Sequence, residues 1–126
     1  MTKSKNKKII IIEDEKSLLK ALRIELADSN LEILSALDGE SGLALVKREK
    51  PDLVLLDILM PRMDGYEVLK FLKTNKSTKN IPVIVLTNLG QEEEKKRCLD
   101  LGAQSFYIKA SVRLDELAKK INQALA

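Results

Sequence analysis

The chain alternates short, almost uniformly apolar runs with longer segments whose apolar residues recur every three or four positions. The short runs predict β-strands, and three of them have the continuous hydrophobicity of strands buried on both faces of a parallel sheet. The predicted strands are Lys8–Glu13, Leu31–Ala36, Leu53–Asp57, Pro82–Thr87 and Ser105–Lys109.

The longer segments predict amphipathic α-helices, because their apolar residues fall on one face at helical spacing. They cover Glu15–Asp28, Gly39–Lys50, the segment after Asp64, Gln91–Leu101 and the segment after Ser111. Asp38, Asp64 and Ser111 are predicted N-caps, Gly102 is predicted to end the fourth helix, and Glu15 is interpreted as a first-turn acid. The βα pattern, repeated five times, predicts an α/β fold with a doubly wound parallel sheet.

Length and composition agree with one domain over residues 1–126, since 44% of the 126 residues are hydrophobic. Four lysines among the first eight residues predict that residues 1–7 form a basic, mobile tail. No apolar run is long enough for a membrane span or a signal peptide, and Cys98 is the only cysteine. We therefore expect a cytoplasmic protein that does not contact membranes.

Two residue types limit the possible chemistry. The four aromatic residues do not interleave with a basic patch, so we expect no direct nucleic-acid binding. Histidine is absent, which excludes a Ser-His-Asp arrangement, imidazole metal ligands and a histidine phosphodonor within the chain. Any chemistry would therefore depend on carboxylates, hydroxyls, lysine and a hard metal ion.

Polar residues end four of the five predicted strands. They are Glu13, Asp14, Asp57, Thr87 and Lys109. The carboxyl ends of parallel strands meet at one edge of the sheet, where such folds bind ligands. Clustered carboxylates repel one another unless a cation such as Mg²⁺ holds them. A carboxylate beside Mg²⁺ and a lysine can accept a phosphoryl group, because both cations neutralise charge on the transferred oxygens.

Four stretches of the chain resemble the receiver domain of two-component response regulators. They are "IIIIEDE", "PDLVLLDILMPRMDGYEVL", "IPVIVLTN" and "FYIKA", and they lie in the family's order within residues 7–125. The resemblance implies a flavodoxin-like strand order, 2-1-3-4-5. It also implies a phosphorelay protein that is not an enzyme beyond catalysing its own phosphorylation and dephosphorylation.

The resemblance assigns roles at the predicted site. Asp57 would accept a phosphoryl group from a histidine kinase or a histidine phosphotransfer protein. Glu13, Asp14 and Asp57 would bind Mg²⁺ together with the backbone carbonyl of Leu59. Lys109 would contact the phosphoryl group.

A conformational switch is implied by the same resemblance. The hydroxyl of Thr87 and the ring of Phe106 would move on phosphorylation and change the surface formed by the fourth helix, the fifth strand and the fifth helix. That surface would act on a downstream protein or on an output domain outside this sequence. The protein would be a monomer or a phosphorylation-dependent dimer.

Three features depart from the family pattern or vary within it. Ala110, rather than the common proline, follows Lys109, and Phe106 stands where a tyrosine is frequent. Leu59 and Leu89 occupy the two positions that flank the path of the hydrolytic water, so we expect a long-lived phosphoryl group.

Two other functions fit the same fold. A magnesium-dependent hydrolase with an aspartyl-phosphate intermediate usually has a second acid two residues after the nucleophile, but Leu59 occupies that position. A binding module that is not phosphorylated, such as a flavin protein, would need a phosphate-binding loop after the first strand. The acidic residues there would repel a phosphate unless a metal were bound.

Overall fold

A computed structural model describes residues 7–27 and 29–126. Within these residues, five strands and five helices alternate. The strands are β1 (Lys7–Ile12), β2 (Leu31–Ala36), β3 (Leu53–Leu56), β4 (Val83–Thr87) and β5 (Ser105–Ile108). The helices are α1 (Lys16–Glu25), α2 (Gly39–Glu49), α3 (Gly65–Thr74), α4 (Glu92–Asp100) and α5 (Leu114–Leu125).

The strands form one parallel sheet in the order β2-β1-β3-β4-β5, which confirms the predicted topology. Strand β1 pairs with both β2 and β3, and the chain therefore changes direction across the sheet beside β1. Ligands bind at such a reversal, outside the carboxyl ends of the strands. The topology thus places the ends of β1 and β3 at the expected position of a site.

Alternate residues of the central strands enter two separate cores. On one face Ile10, Val54 and Val85 pack with apolar residues of α2, α3 and α4. On the other face Ile9 and Leu55 pack with α1 and α5. Because both faces are covered, the strands need apolar residues at every position, which explains their continuous hydrophobicity.

The boundaries of the elements correct several predictions by one to three residues. Lys7 belongs to β1, so the predicted tail of residues 1–7 is too long by that residue, and residues 1–6 lie outside the described part of the chain. Helix α1 ends at Glu25 because the chain turns at Leu26 and Ala27, and the predicted last residue, Asp28, is also outside the described part.

The predicted caps are confirmed except for one. Asp38 accepts a hydrogen bond from the backbone of Ser41, Asp64 accepts one from Tyr66, and Gly102 has a φ of 109° at the end of α4. Ser111 does not cap α5, because its N–H donates to the carbonyl of Ile108 in a turn that delays the helix until Leu114.

The other strand and helix boundaries differ from prediction by a single residue at several ends. Three of these residues carry polar side chains of the predicted site: Glu13, Asp57 and Lys109 follow their strands instead of ending them. All peptide bonds of the described residues are trans, including the one between Lys109 and Ala110. Within the same residues, no helix has both the length and the apolar character needed to cross a bilayer.

The fold requires glycine at position 65, at the start of α3. A Cβ there would overlap the Cα of Ile58 and lie 2.7 Å from the carbonyl oxygen of Asp57. We expect Gly65→Ala to lower the free energy of unfolding by about 1–3 kcal/mol, because rigid backbone would have to shift. Gly90→Ala is the matched control, since its Cβ would meet only the end of the flexible Ile108 side chain at 2.9 Å. Urea unfolding measures both, and equal losses would contradict the explanation.

Candidate functional site

Backbone hydrogen bonds continue the sheet for one residue beyond three strands. The N–H of Glu13 donates to Ala36 at 3.0 Å, that of Asp57 to Ile12 at 3.0 Å, and that of Lys109 to Thr87 at 2.9 Å. These residues are therefore held as firmly as strand residues. Their side chains lie together at the carboxyl edge of the sheet, as the sequence predicts.

The ammonium of Lys109 joins three carboxylates. Its Nζ lies 2.8 Å from Oε2 of Glu13, 2.7 Å from Oδ2 of Asp57 and 2.6 Å from Oε1 of Glu15. Glu13, Asp57 and the lysine side chain are buried, whereas the side chain of Glu15 is 53% exposed. One cation thus connects residues that follow β1, β3 and β5.

Burial of two carboxylates is tolerated because their oxygens have partners. The second oxygen of Asp57, Oδ1, accepts a hydrogen bond from the backbone N–H of Leu59 at 3.0 Å. Oε2 of Glu13 also accepts one from the N–H of Glu15 at 3.0 Å. A buried carboxylate without such partners would cost several kcal/mol.

The protonation of the cluster shows this balance between burial and pairing. Burial raises the pKa of Glu13 to about 7, although the hydrogen bond from Lys109 acts in the opposite direction. For Lys109, burial alone would lower the pKa, but hydrogen bonds to Asp57, Glu13 and Glu15 together raise it above its ordinary value. The ammonium therefore remains charged, while the carboxyl of Glu13 needs further positive charge to remain ionised near neutral pH.

Three carboxylates form a candidate cation site. One oxygen each of Glu13, Asp14 and Asp57 can be chosen so that all three lie within 4.8 Å of one another, and Asp14 is exposed to solvent. With Glu15, the cluster contains four carboxylates and one ammonium, which leaves an excess of negative charge. An all-oxygen donor set with excess negative charge fits a hard divalent cation such as Mg²⁺.

Thr87 and Phe106 occupy neighbouring strands beside this cluster. Thr87 is the buried last residue of β4, and its Oγ1 accepts a long hydrogen bond of 3.4 Å from the N–H of Leu89. Phe106 lies in β5, opposite Val85 of β4 in register, and its half-buried ring packs against the core that faces α3 and α4. The two side chains thus lie on β4 and β5, to one side of the strands β1 and β3 that the acidic residues follow.

Leu59 and Leu89 line one groove of about 310 Å³ at the same edge, together with Met60, Arg62 and Tyr66. Leu59 is 53% exposed and Leu89 is half-buried. Because Leu59 is also the residue whose N–H binds Asp57, the groove begins directly beside the buried carboxylate.

The sequence did not reveal the role of Glu15. Its place after the first strand predicts a first-turn helix acid. Glu15 occupies the N-cap position of α1, but its side chain makes no capping hydrogen bond and binds Lys109 instead. The run Glu13-Asp14-Glu15 was the available signal. A third acid after a strand can turn either toward the helix or toward the site, so spacing alone could not decide.

The chain belongs to the family described as the response regulator receiver domain, whose sequence model matches residues 9–122. Over 104 residues it is 38% identical to the alkaline phosphatase synthesis transcriptional regulatory protein PhoP of Bacillus subtilis. That match covers 82% of this chain but 42% of PhoP, so the chain spans less than half the length of this relative. Receiver domains are signalling modules, and the fold and family expected from the sequence are thereby confirmed.

Solved structures agree with this assignment. The Mn²⁺-bound form of response regulator Rcp1 is 31% identical, with a TM-score of 0.79 over 93% of this chain and 90% of that chain. The BeF₃-activated receiver domain of RstA from Klebsiella pneumoniae is 26% identical, with a TM-score of 0.85 over 94% of this chain and 97% of that chain.

The bridging position of Lys109 leads to a stability prediction. Lys109→Met will lower the free energy of unfolding by about 3 kcal/mol, because Glu13 and Asp57 would remain buried without their cation. Lys8→Met is the matched control, since Lys8 pairs with Glu49 at 3.0 Å where both side chains are partly exposed, and we expect a much smaller loss. Urea unfolding without divalent cations measures both variants.

Added Mg²⁺ extends the same test. It should stabilise Lys109→Met more than the wild type, because a divalent cation would replace the missing positive charge among the carboxylates. Equal losses in the two lysine variants, or equal stabilisation by Mg²⁺ in Lys109→Met and wild type, would contradict the bridging role.

Proposed function

We propose that Asp57 is the phosphoacceptor of this receiver domain. The observation that carries the proposal is the environment of its carboxylate, which is buried, fixed by the N–H of Leu59 at 3.0 Å and paired with Lys109 at 2.7 Å. The lysine would neutralise charge on the transferred group, and the backbone contact would orient the attacking oxygen.

The reaction is transfer from a phosphohistidine of a histidine kinase or a histidine phosphotransfer protein. A carboxylate oxygen of Asp57 attacks phosphorus, the P–N bond breaks, and its electron pair leaves on the imidazole nitrogen, which is then protonated. Hydrolysis later returns the carboxylate and inorganic phosphate. Both steps occur within the domain itself, and this self-catalysis is the only enzymatic activity that we propose.

The cation of this site is proposed to be Mg²⁺, held by Glu13, Asp14, Asp57 and the carbonyl of Leu59. The support is the group of carboxylates within 4.8 Å and their excess negative charge. A related structure, Rcp1, has been solved with Mn²⁺, which has the same charge and a similar preference for oxygen ligands. When bound, the cation would neutralise charge on the phosphoryl oxygens.

The signal would leave the site through Thr87 and Phe106. We propose that the Thr87 hydroxyl turns toward the phosphoryl group, so that the ring of Phe106 moves inward and the surface of α4, β5 and α5 changes. The long hydrogen bond of Thr87 supports this, because little holds the hydroxyl in its present position. The RstA relative has been solved in a BeF₃-activated form.

We also propose partners, an oligomeric state and a location for the domain. The partners would be a histidine-containing phosphodonor and a downstream protein or output domain, because curated relatives such as PhoP are more than twice as long as the matched region. We propose that residues 1–126 form one domain that is a monomer or a phosphorylation-dependent dimer. A cytoplasmic location is proposed because Cys98 is buried and unpaired with another cysteine.

The phosphoacceptor is tested by intact-mass spectrometry after incubation with acetyl phosphate and Mg²⁺. We expect the wild type to gain one phosphoryl group and Asp57→Asn to gain none, because an amide oxygen is a poor nucleophile. Asp52→Asn is the matched control, since Asp52 precedes the other end of β3 and should label normally. Labelling of Asp57→Asn at the wild-type rate would contradict the assignment of Asp57. Full labelling of the wild type in excess chelator would contradict the proposed role of Mg²⁺.

A second experiment concerns the lifetime of the phosphoryl group. Leu59→Asn combined with Leu89→Glu should speed dephosphorylation by roughly tenfold, because polar side chains in this groove could orient the attacking water. That change needs about 1.4 kcal/mol, roughly one well-placed hydrogen bond. Decay of the phosphorylated mass after donor removal measures the rate.

The control for this experiment is Ile24→Asn combined with Leu37→Glu, two exposed apolar residues that neither line the groove nor lie on the proposed switch surface. It should leave the decay unchanged. A decay in the groove variant that equals that of the wild type, or is slower, would show that Leu59 and Leu89 do not set the lifetime.

A further inference from the structure

Every hydrogen-bond donor of Lys109 is already occupied. An ammonium has three N–H donors, and three carboxylate oxygens lie at 2.6–2.8 Å from this one. A phosphoryl group that approaches Asp57 brings new oxygens that need a cation. For Lys109 to bind one of them, it has to release an existing acceptor.

The three acceptors differ in what their release would cost. Until the new bond forms, Glu13 and Asp57 are both buried carboxylates, so losing the lysine would leave either of them desolvated and in need of another cation. The side chain of Glu15 is 53% exposed, and water can replace the lysine there with little loss. Glu15 is therefore the acceptor that Lys109 releases most easily.

We propose that Glu15 is a positioning residue that holds Lys109 in the resting site and competes with the phosphoryl group for it. The inference rests on the proposed function of Asp57. Two contacts fix Glu15 for this role: its side chain binds Lys109 at 2.6 Å, and its own N–H donates to Glu13. The carboxylate thus lowers the readiness of the site to accept the phosphoryl group, without contacting the reacting atoms.

Removal of the contact between Glu15 and Lys109 should increase the rate of phosphorylation. At saturating Mg²⁺, Glu15→Gln should take up the phosphoryl group from acetyl phosphate roughly two- to fivefold faster than wild type. This range corresponds to an exposed ion pair of about 0.5–1 kcal/mol. Beryllofluoride, which mimics a phosphoryl group on a carboxylate, should bind more tightly by a similar factor in an amide-NMR titration.

Two further variants separate contact from charge. Glu15→Asp keeps the charge but shortens the side chain by one methylene group, so we expect it to be faster than wild type as well. Glu25→Gln removes an exposed acid elsewhere on α1 and should behave as wild type. In the metal-free proteins, the ¹⁵Nζ signal of Lys109 should shift in Glu15→Gln and not in Glu25→Gln.

The outcomes distinguish this inference from the proposed function. Wild-type protein that accepts neither a phosphoryl group nor beryllofluoride would overturn both. If the wild type is labelled, then a Glu15→Gln rate equal to or below that of wild type overturns the inference alone. The inference alone is also overturned if Glu15→Asp reacts like wild type while Glu15→Gln is faster. In that case the charge of residue 15, and not its contact with Lys109, would set the rate. An unchanged Lys109 ¹⁵Nζ signal in Glu15→Gln would also overturn it.

Discussion

The site depends on one ammonium group placed among three carboxylates, two of which the fold has buried. Lys109 lies within 2.8 Å of an oxygen of Glu13, Glu15 and Asp57, three residues that are distant in sequence from it. The parallel sheet brings them together, because the carboxyl ends of β1, β3 and β5 share one edge. Without this cation, the buried carboxylates would have to protonate or bind a metal ion.

In this arrangement the resting site is stable, but its negative charge is not fully balanced. All three N–H donors of Lys109 are used, yet the carboxylates together carry more negative charge than the lysine can balance. A divalent cation would supply the missing charge, and a phosphoryl group would then redistribute the contacts of the lysine. Chemistry at Asp57 would in this way alter interactions that reach from β1 to β5, which is what a signalling switch requires.

Much of the fold could be predicted, because the strands are buried on both faces. Short apolar runs predicted all five strands, three of which are continuously hydrophobic, and the strand-end rule predicted that Glu13, Asp57 and Lys109 meet. Strand ends were wrong by single residues, since hydrophobicity does not show where pairing stops. These errors left the site intact because backbone hydrogen bonds continue one residue further.

The predictions that were wrong concern residues with two possible local partners. Ser111 was expected to cap α5, but a turn that begins at Ile108 uses its backbone and the helix starts later. The sequence predicts a helix acid at Glu15, but its side chain turns toward Lys109. In both cases the outcome depends on the path of the backbone over a few residues, and residue type and spacing do not determine that path.

The central claim is that Asp57, within this cluster, carries the phosphoryl group. Borohydride reduction of the phosphorylated wild-type protein tests it directly, because it converts an aspartyl phosphate to homoserine and leaves a free carboxylate unchanged. Peptide mass spectrometry then locates the homoserine in the unmodified sequence. The account predicts homoserine at position 57 and at no other aspartate. Homoserine at another position, such as 14 or 64, or none in a protein that has gained the phosphoryl mass, would contradict it.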